Sequence, residues 1–265
     1  MNWDHALALE PVDHNMFRGH VDEDWTSLQG VHGGVVAALA LTAAERVLHE
    51  LGVDPSTTLR AATVGYVAGN TVGDLTIDVE VVRRGRSLVS THVRTTQDAK
   101  TTTVARFHHS QPWEGIELSD IAPPPPRPAG TVRLQREGAR AHINNVETHL
   151  HPDTQVLAGG DSAEWIAWSR PLDGDNFASA WLLMFGDYFP PAVFAKVTAP
   201  VRAVTIEYSM QVHSAAGRWH LGEGEHLTAR MHANHAHDGF AVEDGWIHLP
   251  DGTLLATTRQ TRLAG

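Results

Sequence analysis

The sequence predicts an α+β chain made of two tandem copies of one unit, each a curled antiparallel sheet wrapped around a long central helix. Three observations lead there. Arg60-Ala61-Ala62-Thr63-Val64-Gly65-Tyr66 returns as Arg202-Ala203-Val204-Thr205-Ile206-Glu207-Tyr208, with Arg, Ala, Thr and Tyr in the same four places. Further on, Asp98 to His108 reads against Asp251 to Thr261. The offset grows from 142 (Arg60 to Arg202) to 153 (Arg106 to Arg259), so the second copy carries an insertion. Two matches in the same order indicate duplication. Third, each copy repeats one order of elements, an apolar helix followed by a run of strands.

In the first copy, residues 35–51 contain no Gly or Pro and stop at Gly52, with Pro55 beyond. That is a helix with a C-terminal stop signal. It is apolar nearly all round until Glu45, which predicts a buried helix. Segments 58–67, 74–83, 86–96 and 101–109 are rich in Thr and Val, are separated by Gly or Asp turns and read as strands. Pro123-Pro124-Pro125-Pro126-Arg127-Pro128 cannot donate ladder hydrogen bonds and favours an extended backbone, a semi-rigid linker. The second copy opens with a helix at 177–189, stopped by Pro190-Pro191, and continues with strands at about 201–212, 218–232, 238–248 and 253–263. The expected division is 1–122, a Pro-rich linker at 123–140, and 141–265.

Composition narrows the function. The chain has 265 residues, with 20 Lys plus Arg against 31 Asp plus Glu, a formal charge of −11. This argues against a nucleic-acid partner, which normally calls for a basic footprint. With no cysteine there are no disulfides, thiolate metal sites or cysteine nucleophiles. Met1 to Pro11 shows no secretory signal, and the longest small-apolar run, Gly33 to Ala44, is too short for a bilayer, which needs about 18–20 residues. The expectation is a cytoplasmic chain without a membrane partner.

The motifs resemble the acyl-CoA thioesterase II family. The likeness rests on Phe17-Arg18-Gly19, on His32-Gly33-Gly34-Val35-Val36 opening the first helix, and on Arg84-Gly85-Arg86-Ser87. In the second copy it rests on Gly186-Asp187, on Thr205-Ile206-Glu207-Tyr208-Ser209-Met210 followed by His213, and on Ala256-Thr257-Thr258-Arg259-Gln260. The resemblance implies a double hotdog fold, a homo-oligomer (a dimer or larger) and hydrolysis of acyl-CoA without a cofactor. It also implies that Asp187, Thr205 and Gln260 hold and activate a water for attack on the thioester carbonyl. The chain departs from the family at His32, where an aromatic residue is usual, and at Glu207, where an Asp is usual.

The residues also speak without the family. Asp187 is the only carboxylate in the apolar stretch 177–189, which is costly unless it is hydrogen-bonded. It is either a functional acid or base or a solvated helix end. By strand alternation, Thr205 shares a face with Glu207, Ser209 and Gln211, and Gln260 shares one with Leu254, Ala256 and Thr258. Thr63 stands as the first-copy counterpart of Thr205, and Phe107 as that of Gln260, which suggests one working site and one degenerate site. Gly33 and Gly34, beside His32, either offer backbone N–H groups at a helix N-terminus or permit close packing. Arg84 and Arg86 either meet the coenzyme A phosphates or are solvated in a turn. Phe107, Trp181, Met184 and Phe185 would set the depth of an acyl pocket.

Three functions compete: an acyl-CoA hydrolase, a non-catalytic acyl-CoA-binding protein and an enoyl-CoA hydratase. The hydratase lacks its paired Asp and His near an Asn-Pro. A covalent route lacks both Cys and a Gly-x-Ser-x-Gly elbow. The chain has 18 histidines, with His232, His235 and His237 close in sequence and His149 near His151. No carboxylate was recognised at a ligand spacing, so no metal is expected.

Overall fold

A computed structural model describes residues 3–27, 30–135 and 141–265. The tail of the expected linker, residues 136–140, lies outside the described residues. Helix α1 (Gly33–Glu50) is buried on every side from Val35 to Leu41, because its small and aliphatic side chains leave no polar stripe to face water. It ends where Gly52 adopts a left-handed φ of 67°, a conformation that costs glycine nothing.

The first copy supplies strands β1 (Leu9–Asp13), β2 (Met16–Val21), β3 (Thr58–Tyr66), β4 (Gly73–Arg84), β5 (Val89–Gln97) and β6 (Lys100–Ser110). The second supplies β7 (Val146–Leu150), β8 (Glu164–Pro171), helix α2 (Ser179–Gly186), β9 (Ala203–Val212), β10 (Leu227–His237), β11 (Phe240–His248) and β12 (Leu254–Ala264). All the strands join one antiparallel sheet in the order β1-β2-β4-β5-β6-β3-β9-β12-β11-β10-β8-β7, with Val132–Arg133 beyond β7. The apolar face of this sheet covers both helices.

Two expected elements come out differently. The second helix spans Ser179–Gly186 rather than 177–189, because Phe177 and Ala178 pair in a short strand with Trp219 and Arg218. Its C-cap is Asp187. The expected strand 218–232 is two strands, Arg218–His220 and β10, separated by a turn in which Gly224 has a φ of 74°.

The pairing reveals the true register of the duplication. The join between copies runs from Ala61 opposite Gln211 to Gly65 opposite Glu207, centred on Thr63 opposite Ser209. A pseudo-twofold axis therefore passes between Thr63 and Ser209, which are each other's counterparts. Leu59 and Thr205 each precede a β-bulge, and they pair with His109 and Arg262 respectively. From Leu59 to Thr205 is 146 residues, as it is from the first residue of α1 to the first of α2. The counterpart of Thr205 is thus Leu59. The Thr63 assignment is corrected by four residues, since the matching heptapeptides are out of step with the pairing. On β12 the offset of 153 stands, and Phe107 remains the counterpart of Gln260.

Candidate active site

The N-terminus of α1 abuts the C-terminal end of α2, so closely that a Cβ on Gly34 would lie 2.8 Å from the Met184 carbonyl oxygen. At this junction sits Asp187, only 5% exposed. The helix end is buried here, so its carboxylate is not solvated. Thr205 reaches it through the bulge between Thr205 and Glu207. One extra residue turns Thr205 from the solvent face, where strict alternation puts it, to the inner face with Tyr208 and Met210. Gln260 arrives on that face from β12, as alternation predicted.

The three side chains form one hydrogen-bonded group. Thr205 Oγ1 lies 3.0 Å from Gln260 Oε1 and 3.4 Å from Asp187 Oδ1, and Gln260 Nε2 donates to the Gly186 carbonyl at 3.3 Å. Tyr66, from the first copy, donates to Asp187 Oδ2 at 3.3 Å. Gly33 makes room for it, since a Cβ there would stand 2.7 Å from the tyrosine ring. Both glycines therefore serve close approach. His32 donates from Nε2 to the Asp187 carbonyl oxygen at 3.0 Å and stacks on His142 with ring centroids 4.2 Å apart.

Sequence reasoning missed four members of this group: Tyr66, His142, Arg262 and Glu243. Arg262 donates from NH1 to Thr205 Oγ1 at 2.7 Å, and its NH2 lies 3.2 Å from Glu243 Oε1 and 3.9 Å from Asp187 Oδ1. Glu243 also accepts from the Ala192 backbone N–H. Arg262 and Glu243 are both nearly fully buried. A signal was present. Arg262 continues the inward row 256, 258, 260, and Glu243 interrupts the row Ala241, Gly245, Ile247; a charge in such a row needs a partner.

Burial dominates the electrostatics. It raises the Asp187 carboxyl above the usual range, opposed by the Arg262 charge and by hydrogen bonds from Tyr66 and Thr205. It lowers His32 to about 4 and His142 to about 3. Both rings are therefore neutral in the folded chain at pH values where the unfolded chain would protonate them, below 6.5. Stability from this source is complete above that value and is lost as pH falls from 6.5 toward 4. Melting temperatures across this window should fall steeply with acid, and His32→Gln should flatten the slope. An unchanged slope would show that His32 takes no part.

The remaining expected residues lie elsewhere. Trp181 is buried on α2, stacked on Phe185, which in turn faces Tyr188. Phe107 lies opposite Ala62 in the middle of β3, and Leu41 is the α1 counterpart of Asp187. Leu41, Leu59 and Phe107 are all at most 1% exposed, so the first copy has apolar groups at all three places. The structure does not bring Arg84 and Arg86 to Asp187. They are exposed at the β4–β5 turn, where Arg84 pairs with Val89 and Val89 with His109, at the Leu59 end of β3.

Glu147, His149 and His226 bring three ligand-type atoms within 4.8 Å of one another, a grouping the sequence did not reveal. The Arg127 guanidinium lies 3.3 Å from His226 Nε2, and both imidazoles already face Glu147 Oε1 at 3.1 and 3.5 Å. A dication would have to displace that arginine, so we read the group as a hydrogen-bonded cluster in which His226, whose pKa burial lowers, accepts from Arg127. A shallow depression of about 490 Å³, lined by Thr63, Asp78, Arg94, Arg106 and Glu207 among others, lies on the solvent face of the sheet, away from Asp187.

A family model described as the acyl-CoA thioesterase N-terminal domain matches residues 21–109, and one described as the C-terminal domain matches 118–264. Acyl-CoA thioesterase 2 of Haemophilus influenzae is 26% identical over 287 aligned positions, covering 98% of this chain and 95% of that protein. Among solved structures, a hot dog fold protein of unknown function from Alicyclobacillus acidocaldarius superimposes with a TM-score of 0.84 at 24% identity. An acyl-CoA thioesterase II from Mycobacterium marinum superimposes with a TM-score of 0.76 at 21% identity. Each likeness covers 99% of this chain and 97% of the other. The fold is a double hotdog.

Proposed function

Since the chain belongs to the acyl-CoA thioesterase family and is a thioester hydrolase, we propose that it cleaves acyl-CoA with a water held by Asp187, Thr205 and Gln260 of the second copy. The observation that carries this reading is the asymmetry of the duplication. One copy gathers a carboxylate, a hydroxyl and an amide at a dry helix end; the other has Leu41, Leu59 and Phe107 in the same places. A fold alone needs no such difference, and burying a carboxylate is costly.

In this reading Asp187 accepts a proton from the water as its oxygen attacks the thioester carbonyl carbon. Thr205 and Gln260 orient that water. The developing oxyanion faces the positive N-terminal end of α1 and the Gln260 N–H not used by Gly186. When the tetrahedral intermediate collapses, the C–S bond breaks and the thiolate takes the proton back from Asp187. Free acid and coenzyme A result, and the carboxylate is regenerated. Substrate is a CoA thioester, and an oligomer in the cell is part of the same proposal.

Thiol release from a panel of acyl-CoA esters tests the reaction. Release is expected. Hydration of an enoyl-CoA without release would make the protein a hydratase, and neither activity would make it a carrier. Thr205→Val should lower turnover by roughly 10-fold or more, whereas Thr63→Val, beside the pseudo-twofold axis and opposite Ser209, should leave it intact. Equal losses from both would overturn the single-site reading.

A further inference from the structure

We infer that Arg262, held by Glu243, is the positioning residue that turns the Thr205 hydroxyl toward Gln260 and keeps Asp187 available as a base. This deepens the proposed function and rests on that reading of Asp187. A guanidinium can only donate, so at 2.7 Å from Thr205 Oγ1 it occupies a lone pair of that hydroxyl. The single Thr205 proton must then point away, to Gln260 Oε1 at 3.0 Å or Asp187 Oδ1 at 3.4 Å. With the carbonyl end of Gln260 toward Thr205, its Nε2 donates to Gly186, and one amide hydrogen is left over. The Asp187 carboxylate keeps lone pairs free, because its contacts from Tyr66 and Thr205 are long, at 3.3 and 3.4 Å. Without Arg262 that lone pair of Thr205 is released and its proton can turn from Gln260 to Asp187, while the Gly186 carbonyl still holds the Gln260 amide in place.

Charge works in the same direction. The groups facing Asp187 are Arg262 from β12, with Glu243 behind it on β11, and Tyr66 from β3. His32 caps α1, His142 stacks behind it, and Tyr208 of β9 lies near, its hydroxyl bound to the Leu183 carbonyl. His32 and His142 are held neutral by burial, and burial holds the Tyr66 hydroxyl in its protonated form. Arg262 is thus the one full positive charge among these described groups. It opposes the desolvation that would keep Asp187 protonated. Glu243 shares that charge and anchors it to the Ala192 backbone.

The test is the pH dependence of kcat/KM on one good acyl-CoA substrate, with melting temperatures measured alongside. Arg262→Met should lower the plateau roughly 10- to 100-fold and move the acidic limb to higher pH. Glu243→Gln should move the limb to lower pH, since it removes an anion near Asp187 and releases Arg262 toward it. Arg262→Lys should restore the limb but not the plateau, because an ammonium cannot bridge Thr205 and Glu243 as a planar fork does. A merely structural pair would lower the melting temperature and leave the limb in place. If Arg262→Met does not fold, the opposite displacements in Glu243→Gln and Arg262→Lys carry the test. Unmoved limbs in an enzyme that Asp187→Asn inactivates would overturn this inference alone. An active Asp187→Asn would overturn the reading beneath it.

Discussion

Asp187→Asn is expected to lower turnover by roughly 10²–10⁴, the usual contribution of a general base. The amide keeps the size of the carboxylate and part of its hydrogen bonding, so the substitution tests proton acceptance rather than packing. KM should change little, because the carboxylate acts mainly in the transition state. Folding should survive and improve. Burial raises the pKa of Asp187, so the ionised form is disfavoured in the folded state. Its unfavourable contribution therefore appears as pH rises from the ordinary Asp value of 3.8 through the raised one, and Asn removes it. By the same sign, wild-type kcat/KM should climb with pH through the Asp187 titration and then level off. Wild-type turnover in the variant, measured on a substrate the wild type cleaves well, would remove Asp187 from the mechanism.

The second large effect concerns the joint between the copies. A fragment ending at Pro128 is expected to be insoluble or to lack cooperative unfolding. Truncation strips β9 from β3, leaving the segment Ala61 to Gly65 as an unpaired edge in the middle of what was one sheet. It also removes α2 from α1, uncovering the face of α1 around Gly34 that now lies against the Met184 end of α2. Co-expression with residues 129–265 should restore a soluble complex. A cooperatively folding monomer of residues 1–128 would show that the first copy is an independent domain.

Much of the architecture was legible along the chain because the signals are local. The unbroken apolar run after Gly34 makes a buried helix, and Gly52 stops it. Alternation and Gly or Asp turns mark most strands of both copies to within a few residues. The outer strands β1, β2, β7 and β8 are not legible in this way. β1 is almost wholly exposed apart from Leu9, so it carries no alternating burial for a periodicity to reveal. The polar trio Asp187, Thr205 and Gln260 was reached through motif resemblance, and Gln260 also through its inward row.

What chain order could not reveal is set by contacts between distant segments. A bulge is a mismatch between two strands, so the inward turn of Thr205 exists only once β9 is paired with β12. The same pairing shows that the resemblance between the heptapeptides at 60 and 202 is four residues out of step with the real symmetry. Tyr66 belongs to the opposite copy from Asp187. It reaches the carboxylate because β3 and β9 run antiparallel across the pseudo-twofold axis, and because Gly33 leaves space for its ring. Arg262 and Glu243 stand in inward rows, which signals that each charge needs a partner but not which one. They become a buried pair because β11 and β12 turn them inward beneath α2, where neither charge is tolerable without the other.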